Sequence, residues 1–396
     1  MAKQSFKTEV ELGIAPKTTP KKVLEGKNIV VPENRVYVIF DTGTRRAKYV
    51  STDGNYGCFN NVAGTPQNES ARALIGMDYA LGSLVDMHNG RFIESNYDDL
   101  KIFDNGVLKV GKDNKLSETN LNKAVFLLEY TLEHAVSGKG KEVWLTMAVP
   151  PGTVESLQHY ARVVRAFNQK RDAEGNGREL PFVKALMVRS QPEMLGKGLG
   201  YGWSNSWQWG AGSMSGEASY GIDKEEKYGE IPYITLLGAG DEGDKLLLDL
   251  ATSKYPHANI TLADVRKAKE AHGFVGESKD EVYVTSGAGR RAMTWDITDE
   301  MRTVCEKQAT KLAANGIVPL LERVPKELQD RVAEHTIVGG GGSAIRGLDK
   351  FVLPIVQAVF PATRIEVLDD KVYGECINSL PYVASEHAQR QYTTDL

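Results

Sequence analysis

The chain has 396 residues, 41% hydrophobic and 25% charged, with a formal net charge of -4 at pH 7. That length supplies material for two or three folded cores, and the charge balance excludes a nucleic-acid binder driven by global charge. Cys58, Cys305 and Cys376 lack CxxC spacing, the seven histidines form no HExxH, and no apolar run reaches the about 18 residues of a membrane span. Zinc hydrolases, disulfide scaffolds and membrane spans are thereby set aside. With no signal-peptide pattern after Met1, a cytoplasmic protein is expected.

Residues 1–34 are rich in Lys, Thr and Pro and read as an extended arm, either a solvated tail or a contact segment through Lys17, Lys21 and Lys22. β-branched and aromatic residues predict a strand at 35–40, a turn at Asp41-Thr42-Gly43-Thr44 and a returning strand at 47–51. The Asn-, Gly- and Asp-rich stretch 58–115 reads as an inserted lobe of short elements. Thr119 is expected to cap a helix that carries Leu121, Val125, Leu128 and Leu132 on one face. A buried strand follows at 143–149, stopped by Pro150-Pro151-Gly152, and then a helix over 154–168.

The second half repeats this grammar. Strands are predicted at 182–188, at 203–209 leading into Gly210-Ala211-Gly212-Ser213, and at 231–237. Helices are predicted at 262–272 and 299–322, and a strand at 336–338 feeds Gly339, Gly340, Gly341 and Gly342. Alternating strands and helices argue an α/β fold with mixed sheets. The strand–glycine-turn–strand unit occurs once per half, which argues an internal duplication around a nucleotide cleft.

The chemistry falls on those turns. Gly43 lets the backbone approach a phosphate, Thr44 offers a hydroxyl and an N–H, and Asp41 suits Mg2+ directly or through water. An ordinary hairpin turn is the competing reading, since Asp and Gly are default turn residues. Gly210, Gly212 and Ser213 form a second phosphate turn or a plain surface loop. Lys269 and Glu270, side by side at a helix end, suit ribose hydroxyls and a purine ring, and a solvated helix face is the commoner reading of such a pair. Glu155 and Gln158 near a helix start suit a water-positioning role in phosphoryl transfer, and Glu155 also suits the helix N-terminus electrostatically.

In order along the chain, these pieces resemble the bacterial actins of the hexokinase–Hsp70–actin superfamily, with the MreB-type and magnetosome-filament members foremost. The resemblance rests on Asp41-Thr42-Gly43-Thr44, Val149-Pro150-Pro151-Gly152, Gly243-Asp244-Lys245, the stretch from Lys269-Glu270 to Phe274-Val275, and the glycine run followed by Arg346 and Leu348-Asp349. It covers residues 35–390 and implies an α/β actin-like fold of two duplicated halves. The implied division is an N-terminal extension at 1–34, a first half at 35–180 with a lobe at 58–115, a second half at 181–350 with a lobe at 240–285, and a segment at 351–396 returning to the first half. It also implies ATP and Mg2+ as cofactors, with Gly340, Gly341, Gly342 and Arg346 on the adenosine and Gln191 beside Glu155 and Gln158 in hydrolysis.

Two departures stand out: Gln208 occupies the place of an acid in the second phosphate loop, and Ser190-Gln191-Pro192 replaces Ser-Glu-Pro. Nucleotide binding is therefore expected to be better supported than hydrolysis. The leading reading is a cytoplasmic, filament-forming ATPase whose partner is itself, with an adaptor to a cargo such as magnetosomes, plasmids or envelope machinery. A degenerate scaffold or filament cap and a small-molecule kinase of the same superfamily are the alternatives.

Overall fold

The computed structural model describes residues 15–43, 46–60, 62–64, 80–81, 104–105, 118–138, 140–151, 157–174, 181–220, 231–278, 280–287 and 292–396. The chain forms two compact units: Met1–Met194 with Glu375–Leu396, and Leu195–Gly374.

In unit one, strands β1 (Arg35–Asp41), β2 (Arg46–Ser51) and β3 (Tyr56–Asn60) form an antiparallel meander. β7 (Glu142–Val149) and β8 (Phe182–Ser190) add in parallel beside β1, so the five-stranded sheet runs β3-β2-β1-β7-β8. Between these come three very short strands, β4 (Val62–Gly64), β5 (Ala80–Leu81) and β6 (Asp104–Asn105), in a separate sheet. β1 is buried from Val36 to Asp41, as a near-continuous apolar run with a strand on each side should be.

One face of the sheet packs on helices α2 (Glu118–Ala135) and α3 (Leu157–Glu174), with Leu121, Val125, Leu128 and Leu132 buried as their spacing predicts. Because α2 begins at Glu118, Thr119 lies inside its first turn and is not the cap. On the other face Trp144 and Tyr392 pack edge to face with Tyr37 tilted against both, and Thr393 pairs with Leu186. The arm also departs from expectation. Helix α1 (Pro20–Gly26) starts with a proline in its first turn, where no N–H is missed, and buries Pro20 and Leu24. The stem of Lys21 lies where a Cβ on Gly54 would be, 2.7 Å from Cε. Residues 20–26 are therefore folded, and residues 1–14 lie outside the described residues.

Unit two repeats the plan. β9 (Ser204–Trp209), β10 (Ser213–Ser219) and β11 (Tyr233–Leu237) form the meander, and β14 (Thr336–Gly339) and β15 (Ile365–Val367) add in parallel beside β9. The order β11-β10-β9-β14-β15 matches that of unit one strand for strand, as the repeated turn grammar predicts. Trp207 fixes the register locally, because its indole lies over Gly216 directly across the ladder, where a Cβ would come within 2.3 Å.

Helix α4 (Gln191–Gly198) carries the chain from unit one into unit two. After β11 come α5 (Gly240–Lys254), α6 (Leu262–His272) and a hairpin of β12 (Tyr283–Ser286) and β13 (Met293–Asp296). α6 has the predicted bounds and opens on a capping box between Thr261 and Asp264. The predicted 299–322 helix is continuous but not uniform: α7 (Thr298–Thr310) widens into a π segment at Lys311–Ile317 before Val318–Glu322. Pro319 has no N–H for the α ladder, and Gly316 sits against the Trp207 ring, so the wider turn accommodates both. Among the described residues no helix is long and apolar enough to cross a membrane.

Candidate functional site

Unit one contributes the end of β1. The antiparallel register of β1 and β2 sets Asp41 directly across from Lys48, and the Lys48 Nζ lies 2.5 Å from Asp41 Oδ2. The Gln191 amide donates to the other carboxylate oxygen. Asp41 is fully buried, and Thr42 ties the turn to β7 by donating its N–H to the Ala148 carbonyl at 3.2 Å. At Gly43 a Cβ would stand 2.5 Å from the Arg46 carbonyl oxygen, so the turn closes too tightly for any other residue. Thr44 lies outside the described residues.

Burial opposes the charge on Lys48, but the carboxylates of Asp41 and Glu375, the Cys376 thiol and the hydrogen bond to Asp41 outweigh it and hold the ammonium above its ordinary pKa. Lys48 is the residue that motif reading missed. Its signal was present: a lone lysine among the apolar residues of the returning strand β2. Gln191, expected beside the hydrolytic water, spends its amide on Asp41, and its helix is opened by Ser190, whose Oγ accepts from the Glu193 N–H at 3.1 Å. Gln158 lies exposed in the first turn of α3, and Glu155 lies outside the described residues.

Unit two contributes the turn between β9 and β10. Gly210 N–H donates to the Ser213 carbonyl at 2.9 Å and closes the turn. The carbonyls of Gly210, Ala211 and Gly212 accept from the N–H groups of Gly240, Asp241 and Gly238 at 3.4, 2.8 and 3.1 Å. With its carbonyls drawn to that side, the turn leaves the N–H groups of Ala211 and Gly212 with no backbone acceptor among the described residues. Such adjacent amides suit an anion. Gln208, near the end of β9, is buried, and its Oε1 has no hydrogen-bond partner among the described residues.

The glycine run lies against the same strand. A Cβ at Gly340, whose φ is +86°, would come 2.6 Å from the Trp209 carbonyl oxygen, and one at Gly342 would come 2.2 Å from the Trp209 ring. Gly339 is crowded by Leu195, Gln208 and Leu368. Gly341 alone of the four is exposed and has open space where a side chain would go. Three of the four glycines therefore serve packing, and one faces outward.

Lys269 sits at the end of α6 with its Nζ 2.6 Å from Asp244 Oδ1 and 2.6 Å from the Gly240 carbonyl oxygen. Arg266 takes the other Asp244 oxygen at 2.8 Å. Two of the three ammonium donors of Lys269 are thus engaged inside unit two. Glu270 is exposed. Arg346 is exposed and pairs with Asp280 at 2.9 Å, with its guanidinium 6.0 Å from the Phe274 ring centroid.

Taken separately, each unit holds donors suited to phosphate: a buried cation at Lys48 in unit one, and in unit two the amides of Ala211 and Gly212 with an outward glycine at 341. The fit to Mg2+ is narrower. Asp41 is already shared by Lys48 and Gln191, and the described residues contain no group of three metal-ligating side chains. Asp41 therefore suits the water shell of the ion better than a direct protein cage.

No family model matches the chain. It is 23% identical to "Actin-like protein MamK" of Paramagnetospirillum magneticum over 350 residues, 88% of this chain and 92% of that protein. Among solved structures, the MamK double helical filament superposes with a TM-score of 0.68 at 22% identity, covering 89% of this chain and 99% of that one. MreB 5 of Spiroplasma citri, bound to AMPPNP, superposes with a TM-score of 0.64 at 15% identity, covering 91% and 98%. Two sheets of one topology, each with a glycine turn after its first strand, and these similarities along most of the chain identify an actin-like fold of the bacterial MamK and MreB kind.

Proposed function

We propose that the chain is an ATP-dependent filament protein of the actin type, which binds ATP with Mg2+, hydrolyses it slowly and polymerises with copies of itself. The observation that carries this reading is the duplicated meander with a phosphate-sized glycine turn in each copy, one backed by the buried Asp41–Lys48 pair and the other by two free-facing amides. In this reading Asp41, Gly43, Thr44 and Lys48 serve the phosphates and the hydrated metal. Gly210, Gly212 and Ser213 serve the same phosphates through backbone N–H groups, and Gly340, Gly341, Gly342 and Arg346 border the nucleoside. Mg2+, when bound, would neutralise phosphate charge. The chain's own part is to hold and orient the polyphosphate and, through Glu155 or Gln158, the attacking water.

Slow turnover follows from Gln208, a neutral amide where a carboxylate would organise the water shell of the metal, and from Gln191, whose amide is committed to Asp41. The solved relatives include a filament and an AMPPNP complex, which supports head-to-tail assembly by an open heterologous contact. Similarity to MamK supports a cytoplasmic filament that positions a cargo, magnetosomes among the candidates, through an adaptor.

Sedimentation and light scattering of the purified chain with ATP, AMPPNP or ADP and Mg2+, with negative-stain imaging of the pellets, test the reading. Filaments with ATP and AMPPNP are the expected result. A chain that stays monomeric in every nucleotide and salt condition overturns it in favour of the second reading, a scaffold or filament cap that binds nucleotide weakly. That alternative draws on the same two glutamines.

A further inference from the structure

Between β11 and α5 the 238–241 loop is held on both sides. Its N–H groups at Gly238, Gly240 and Asp241 donate to the carbonyls of Gly212, Gly210 and Ala211. The carbonyls of the same peptide groups are each taken by a side chain. Lys311 Nζ reaches the Leu237 oxygen at 2.8 Å, Gln308 Nε2 reaches that of Ala239, and Lys269 Nζ reaches that of Gly240 at 2.6 Å. In a trans peptide the C=O of one residue and the N–H of the next point in opposite directions. Each of these three peptide groups therefore joins a helix side chain behind it to a turn carbonyl in front.

The turn continues the series. The Ala211 carbonyl that accepts from Asp241 belongs to the peptide group whose N–H is that of Gly212, and the Gly210 carbonyl to the group that carries the Ala211 N–H. Lys269 is thus two peptide groups behind the Gly212 amide, and Gln308 two behind that of Ala211. Hydrogen bonds in series polarise one another, so a cation at one end strengthens the donor at the other. Asp244, 2% exposed, aims Lys269 from 2.6 Å, and its second oxygen is held by Arg266. Gly243 belongs to the same arrangement, because a Cβ there would stand 2.3 Å from Gln308 Nε2.

We propose that the 238–241 loop is the positioning element of the phosphate turn, and that Lys269, aimed by Asp244, acts on bound phosphate through this loop. The inference rests on the reading of the 210–213 turn as a phosphate site. It adds to the expected ribose contact of Lys269, which keeps a third ammonium donor.

Hydrogen exchange at the Gly238, Gly240 and Asp241 amides of the free protein tests the loop. Titrations with AMPPNP, inorganic tripolyphosphate and adenosine test its consequence. In Lys269→Met the Asp241 amide is expected to exchange about tenfold faster, and tripolyphosphate and AMPPNP to bind about tenfold more weakly, the scale of one charge-assisted hydrogen bond. Lys269→Arg, which keeps the cation, restores tripolyphosphate binding to within about threefold of the parent, a rescue that a merely structural role would not tie to the charge. Tripolyphosphate carries no nucleoside, so its loss reports the loop, and adenosine reports direct contact by Lys269 separately. Should Lys269→Met fail to fold, Lys311→Met removes the more exposed brace and is expected to act on the Gly238 amide and on tripolyphosphate in the same sense.

Unchanged exchange at the affected amide overturns the proposal, as does unchanged affinity for tripolyphosphate in Lys269→Met. A parent protein that binds neither AMPPNP nor tripolyphosphate overturns the phosphate reading itself, and the exchange data then still tell a braced loop from an unbraced one.

Discussion

Consecutive glycines at 339–342 have different neighbours, and single substitutions separate packing from ligand contact. Gly342→Ala drives a methyl into the Trp209 ring, 2.2 Å away, and is expected to cost about 2 kcal/mol through overpacking. Gly341→Val meets open space, so stability should stay within about 0.5 kcal/mol while affinity for a fluorescent ATP analogue falls. Thermal melts and a nucleotide titration on both variants check this pair of outcomes. Equal destabilisation of the two would remove the distinction.

Asp41 requires similar care. Asp41→Ala leaves the Lys48 ammonium buried without its 2.5 Å partner, a change expected to cost about 3 kcal/mol. Removing both charges in Asp41→Ala with Lys48→Met should cost less than the single substitution, measured by urea unfolding. A double variant as unstable as the sum of the singles refutes the pairing. The pH sign follows from the raised Lys48 pKa. Its contribution is fully present below the unfolded value of about 10.4 and is lost only as pH rises through the higher folded value, so neutral and mildly alkaline solutions leave it intact.

At the scale of elements, helix α7 carries a titratable start. Asp296 Oδ1 accepts from the hydroxyl of Thr298 at 2.6 Å and from its N–H at 2.9 Å. These two bonds, the hydroxyl first, hold the carboxyl below its ordinary value of 3.8. A depressed carboxyl stabilises above its unfolded pKa and loses that contribution as pH falls through the folded one. Acid titration of thermal stability from about pH 5 to pH 3 should therefore show a smaller decline for Asp296→Asn than for the parent, from a lower starting point. Parallel declines would assign the acid sensitivity elsewhere. The π segment that follows α7 has its own consequence, since it places Lys311 where its ammonium reaches the Leu237 and Gly238 carbonyls and Glu242.

For the whole molecule, the proposed slow hydrolysis should make the proposed filaments persistent. Pelletable protein formed in ATP is expected to decay only slightly faster than that formed in AMPPNP. Gln208→Asp, which restores a carboxylate near the end of β9, should raise phosphate release by about tenfold and shorten filament lifetime if organisation of the metal's water shell is limiting. Phosphate release at the parent rate would shift the limit to water positioning at Glu155 or Gln158.

Legible from residue order alone were strands β1, β2, β7, β8, β9, β11 and β14, helices α2, α3, α6 and α7, the duplication and both glycine turns, because apolar runs, turn chemistry and glycine placement are local properties; β10, β12, β13, β15 and helices α1, α4 and α5 were not read. The 262–272 helix and the burial of Leu121, Val125, Leu128 and Leu132 are cases in point. Only tertiary structure decided the partners of buried charges. Lys48 opposite Asp41 depends on a strand register, Gln191 on a helix start 150 residues from its acceptor, and Lys269 on the meeting of α6 with the loop before α5. A buried charge takes whichever counter-group packing brings within hydrogen-bond reach, and chain spacing carries no record of that choice.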